Sequence, residues 1–105
     1  MHTILIDQFT VPQKARKEFL ERLNINRNFI HTLSGFVKDS VYEAATEEGK
    51  FKVVTVAVWE TEEKFQNAKS AVALEYKKQG FDINAMIQRL EMTIERGIYN
   101  EMQIP

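Results

Sequence analysis

The sequence has no cysteine and only two histidines, His2 and His31. Without thiols there is no disulfide, thiolate nucleophile, iron–sulfur cluster or cysteine-ligated zinc. Two histidines are too few for a multi-histidine metal centre, so no metal site is expected. Glycine occurs only at positions 35, 49, 80 and 97, a spacing that builds no phosphate-binding loop. None of the three serines, Ser34, Ser40 and Ser70, lies in a nucleophile elbow. An excess of one charge is missing as well. Fourteen Lys plus Arg face fifteen Asp plus Glu, a net charge of −1, whereas nucleic-acid binding normally shows as a basic surplus. No run approaches the roughly 18 apolar residues of a membrane helix. The opening Met1–Asp7 stretch lacks the basic region of a signal peptide, so the expected setting is the cytoplasm.

What remains is an ordinary globular composition: 105 residues, 44% hydrophobic and 28% charged, the size of a single domain over residues 1–105. Ile4–Val11 is β-branched and aromatic and stops at Pro12, which predicts a strand. From Pro12 to about Leu33, apolar residues recur at helical spacing (Phe19, Leu20, Leu23, Ile30, Leu33), and Ser34-Gly35 ends that helix. Phe36–Ala45 and Phe51–Glu60 read as a hairpin joined by the glycine-containing turn 46–50. Thr61 is placed to cap a second helix, with Glu62 and Glu63 against its dipole, that runs to Gly80. Asn84 is expected to cap a short third helix, Ala85–Leu90, and Glu91–Met102 completes the chain as a strand. This βαββαβ order predicts a ferredoxin-like α+β sandwich, with helices on one face of an antiparallel sheet.

The third strand adds a second prediction. Val54, Val56 and Val58 occupy one parity, while Phe51, Val53, Ala57 and Trp59 occupy the other, so both sheet faces are apolar. The first strand agrees, with Ile4 and Ile6 opposite Leu5, Phe9 and Val11. A monomer would expose a contiguous apolar patch, which soluble proteins avoid. Sheet-to-sheet pairing of two copies into a homodimer is therefore expected.

Two segments resemble a known family. Phe29-Ile30-His31-Thr32-Leu33-Ser34-Gly35-Phe36 is similar to the helix, small-Gly-Phe, strand junction of the antibiotic biosynthesis monooxygenases. Val54-Thr55-Val56-Ala57-Val58-Trp59-Glu60-Thr61-Glu62-Glu63-Lys64-Phe65 resembles that family's strand ending in Trp, its Glu-rich turn and the Phe of its second helix. The resemblance spans about Ile4 to Tyr99 and implies a dimeric α+β barrel. It also implies a repertoire: cofactor-free oxygenation of aromatic polyketides or quinols with O2, haem degradation, and isomerase-like or signal-processing roles. Haem-degrading members use an Asn on the first strand and a Trp and a His on the second helix. The aligned positions here hold Asp7, Ala68 and Lys78, which points away from haem. Polyketide-type members carry an Asn four residues before the strand Trp and a Tyr six after it. Thr55 and Phe65 stand there, with Trp59 retained.

Seven residues emerge as candidates, each with a plainer alternative. Asp7, a carboxylate in an apolar strand, reads as a catalytic base if buried, or as a partly solvated residue or one paired with Arg96. His31 suits acid–base work near neutrality, or is a surface histidine at a helix C-terminus. Asn28 shares a helix face with His31, in a stretch (Asn24, Asn26, Asn28) of poor helix formers. Trp59, Phe65, Thr55 and Tyr42 would line a pocket for a small aromatic molecule, or simply pack. The leading expectation is a cofactor-independent monooxygenase acting on a phenol, quinol or polyketide-like substrate. The alternative is a non-catalytic dimeric protein that binds or senses a small molecule.

Overall fold

A computed structural model of the chain describes residues 1–46 and 49–105. It contains β1 (Thr3–Pro12), α1 (Arg16–Ile30), β2 (Phe36–Ala45), β3 (Lys50–Trp59), α2 (Glu62–Gln79), α3 (Ile83–Arg89) and β4 (Thr93–Asn100), with a 3₁₀ turn at Gln13–Ala15 before α1. The strands form one antiparallel sheet in the order β2-β3-β1-β4, the ferredoxin-like arrangement. The middle of the hairpin turn, Glu47 and Glu48, lies outside the described residues.

Strand alternation decides which side chains meet the helices. Asp7 on β1 stands opposite Thr55 of β3 and Arg96 of β4, and Thr55 stands opposite Val41 of β2. The next row toward Trp59 holds Leu5, Ala57 and Asp39. A register shift between Phe36 and Lys38 puts both Phe36 and Asp39 on this inner face. The helices cover it with two separate apolar clusters. Phe9, Val11, Phe51 and Val53 pack with Phe19 of α1 and Met86 of α3, with Leu90 and Met92 just beyond it. At the other end Trp59 packs with Phe65 and Ala68 of α2, joined by Leu5, Ile30, Leu33 and Phe36. The outer face carries Ile4, Ile6, Val54 and Val56, with Tyr42 and Tyr99 at 59% and 52% exposure.

Where the elements begin and end follows local chemistry. Thr61 accepts a hydrogen bond from the Lys64 N–H at the start of α2, and Gly80 closes it in the left-handed conformation at φ 64°. Some boundaries differ from the sequence reading. The chain after Pro12 makes a 3₁₀ turn before α1, and α1 stops at Ile30, three residues short of Leu33. Asp82, not Asn84, caps α3, because its carboxylate accepts from both the Asn84 and Ala85 N–H groups. β4 begins at Thr93, since Glu91 takes a left-handed conformation (φ 57°) that no strand residue can adopt.

The α1–β2 junction depends on Gly35, whose φ is 86° and whose missing Cβ leaves room for the Lys64 side chain, 2.4 Å from where that carbon would sit. Gly35→Ala is expected to lower stability by about 1–2 kcal/mol. The measurement is the urea midpoint at unchanged m value; a midpoint equal to the wild type's contradicts this account of the junction.

Candidate active site

Between the two apolar clusters the helices do not close on the sheet, and a cavity of about 340 Å³ remains. The rows that cross the sheet there carry Asp7, Arg96, Thr55 and Asp39, whose hydration cannot be replaced by Leu or Phe packed against them. Arg22, Asn26 and Arg27 face them from α1, at helical spacing on the same stripe as Phe19, Leu23 and Ile30. From α2 come Phe65, Ala68, Lys69, Val72 and Tyr76, while Met86 of α3 and Trp59 of β3 close opposite ends. The wall is mainly apolar and aromatic, with polar groups at a few fixed points, the usual make-up of a small-molecule site.

Both carboxylates in the wall are already gripped. Asp7 is 6% exposed and accepts from Arg96 Nε and Nη2 at 2.8 and 2.9 Å. These bonds raise the Arg96 pKa. Asp39 accepts from Arg27 Nε and Nη2 at 2.7 and 3.1 Å, and His31 Nε2 lies 3.0 Å from its Oδ1. The Arg27 bonds, aided by His31 and opposed by partial burial, hold the Asp39 carboxyl below the usual carboxylate range. Burial pushes the Tyr76 hydroxyl above its ordinary value, so it stays protonated at neutral pH.

Three buried polar atoms find no partner among the described residues: Trp59 Nε1, Arg22 Nε and Asn26 Oδ1. All three residues line the cavity. An unpaired buried donor or acceptor costs about 1–3 kcal/mol, so three of them in residues around one hollow call for partners that the described residues do not supply.

Of the sequence candidates, Asp7, Thr55, Trp59 and Phe65 are brought together in the wall. The other three lie elsewhere. Tyr42 projects from the outer face, because its position on β2 has the opposite parity to Asp39. Asn28 is exposed on α1, two residues off the inward stripe. His31 sits just past α1 with 40% of its side chain exposed, stacked near Phe36 and linked to the cavity through Asp39. Arg22, Asn26, Asp39 and Tyr76 were not singled out as pocket residues. Their signal was present in part, since Arg22 and Asn26 interrupt the apolar stripe Phe19, Leu23, Ile30 at the spacing that points inward.

An α+β sandwich with helices on one face and a partly open, aromatic-walled cavity beneath them is the class of protein this structure defines. The sequence model of the antibiotic biosynthesis monooxygenase family matches residues 3–75, and the chain belongs to that family. Solved structures share the fold. SnoaB, a cofactor-independent oxygenase from Streptomyces nogalater, superposes with a TM-score of 0.69 at 23% identity, over 98% of this chain and 95% of that one. Rv0793 from Mycobacterium tuberculosis gives 0.72 at 14% identity, over 99% and 98%. A conserved protein from Methanosarcina mazei gives 0.70 at 14%, over 97% and 94%. No curated protein matches the sequence significantly. Among the described residues no group of acidic or histidine side chains is arranged to hold a metal ion, and no helix is long and apolar enough to cross a membrane.

Because the folded Asp39 has a lowered pKa, its ion pair contributes fully above the unfolded value near 4 and is lost as pH falls through the folded one. Asp39→Asn is therefore expected to cost about 1–2 kcal/mol at pH 7 and progressively less toward about pH 2.5. Urea midpoints of both proteins across that range check this; a gap that stays constant with pH contradicts it.

Proposed function

We propose that this chain is a cofactor-independent monooxygenase that oxidises a small electron-rich aromatic, a phenol or quinol, with O2. The observation that carries the reading is the largely apolar cavity, with a carboxylate–guanidinium pair in its floor and unpaired polar atoms in the residues around it. Family membership supports the same reaction class.

The chemistry needs little from the protein besides a base, a dry pocket and a fixed positive charge. Asp7 takes the phenolic proton; its neighbour Arg96 is then left facing the new oxyanion and stabilises it. The electron-rich anion passes one electron to O2, and the resulting radical pair joins at a ring carbon ortho or para to the oxygen. That carbon, which bears a hydrogen, becomes a peroxide carbon. Loss of water from it leaves a carbonyl, so one oxygen atom enters the quinone product and the other departs in water. Trp59, Phe65 and Tyr76 supply flat walls for the ring, and the apolar surroundings keep water from the intermediate. His31, bonded to Asp39, is placed to exchange protons between the cavity edge and solvent.

The working unit in this reading is a single domain over residues 1–105, present as a cytoplasmic homodimer. Its outer sheet face, with Ile4, Ile6, Val54, Val56 and Val58, supplies the pairing surface. Light scattering is expected to give twice the mass of one chain, and Val56→Lys to shift it toward one chain while keeping the native circular dichroism; a wild-type monomer at micromolar concentration defeats the dimer.

Oxygen uptake and quinone absorbance over a panel of phenols and hydroquinones test the reaction. Turnover is expected, with Asp7→Asn slowed by about 100-fold or more, in the range of a lost general base, and His31→Ala less affected. No oxygen consumption across the panel, or full activity in Asp7→Asn and His31→Ala alike, overturns it. A compound that raises Tm without being consumed points instead to a protein that only binds its ligand.

A further inference from the structure

The cavity wall holds four cations, Arg22, Arg27, Lys69 and Arg96, against two carboxylates, Asp7 and Asp39. Two of the arginines are spoken for. Arg96 and Arg27 each present the edge formed by Nε and Nη2, and each fills both positions with the two oxygens of one aspartate. Arg22 presents the same edge differently. Its Nη2 donates to the side-chain oxygen of Gln79, a neutral amide, and its Nε is buried with no partner among the described residues. Neither Arg22 nor Lys69 pairs with a carboxylate among the described residues.

Arg22 is also held still. Its guanidinium carbon lies 3.5 Å from the centre of the Phe81 ring and 5.3 Å from that of Tyr76. Contact with two rings, themselves at 89° to each other, offsets part of the cost of burying the charge and confines the group. With Nη2 given to Gln79, that guanidinium keeps one unpartnered Nε–H, able to donate a single charge-assisted hydrogen bond to an anion. Lys69, exposed on α2 at the rim, adds positive potential where such a ligand would enter.

We propose that the cavity is an aromatic-acid site: the ligand's ring lies on the apolar walls, and its carboxylate supplies the third anion that Arg22 lacks. The Trp59 Nε1–H and the Asn26 side-chain amide then remain for other polar atoms of the ligand, one as a donor and one as either donor or acceptor. This deepens the proposed function by naming the charge and recognition group of its substrate. It rests on the cavity being the ligand site, and not on oxygenation occurring there. Arg22 becomes the residue that selects an acid over its neutral counterpart.

The test is calorimetric titration of the full chain at neutral pH with two probes of equal shape, 2-naphthoate and 2-naphthamide. The acid is expected to bind about tenfold or more tightly than the amide, as a charge-assisted hydrogen bond does over a neutral one. Arg22→Gln should abolish that preference, weakening naphthoate about tenfold while leaving naphthamide within about twofold. Lys69→Gln, an exposed change outside the packing, should weaken naphthoate by about threefold and leave naphthamide unaltered. Equal affinities in the wild type overturn the proposal, as does an acid preference that survives Arg22→Gln. Should Arg22→Gln fail to fold, the wild-type preference and the Lys69→Gln drop decide, and the absence of either overturns it. Naphthoate carries no phenol to oxidise, so the titration reads the anion site whatever the oxygen-uptake panel shows. A failed panel with an Arg22-dependent acid preference sinks the reaction alone, and turnover of neutral phenols without that preference sinks the acid site alone.

Discussion

Asp7 sits in the middle of the central strand, on the face that the helices cover, and a carboxylate there must be held by a cation. Arg96 meets that demand only because β4 pairs with β1 in the register that sets the two residues opposite each other. The pair in turn breaks the core. One apolar cluster forms around Phe9, Phe19 and Phe51, a second around Trp59 and Phe65, and the sheet between them carries charge that no aliphatic side chain can cover. The cavity is the gap that results, so its position is settled by the same interaction that fixes the β1–β4 register.

Most of the architecture was legible because its signals are local and agree with one another. Thr61 and Gly80 bracket α2, Gly35 ends the first helical region, and the alternation within Phe51–Trp59 states that both sheet faces are apolar. The boundaries that were misread are those where neighbouring residues compete for one job. Asp82 and Asn84 are both good caps, and only the fold shows that the Asp82 carboxylate reaches two free N–H groups. Glu91 is an ordinary strand residue by composition, yet the turn out of α3 needs a left-handed residue at that point.

The site was less legible, for a geometric reason. Strand residues declare their face by parity, and the strand candidates Asp7, Thr55 and Trp59 do share the face that the cavity lies on. Helix residues declare theirs only relative to an apolar stripe, and the stripe of α1 is itself interrupted by Arg22, Asn26 and Arg27. Asn28 and His31 share a helix face by spacing, but that face lies off the inward stripe or beyond the helix end. The Arg27–Asp39 pair depends on a register irregularity between Phe36 and Lys38 that no pattern in β2 announces.

Trp59 is the chain's single tryptophan, it is 3% exposed, and its ring meets Phe36 edge-on while its nitrogen borders the cavity. Excited beyond the absorption of the three tyrosines, the folded protein therefore emits from one indole at one known address. That indole has no hydrogen-bond partner among the described residues, and its emission belongs toward the blue. A ligand that changes the surroundings of the ring changes that emission directly, with no label. The residue that most shapes the pocket is thus also its built-in gauge of occupancy.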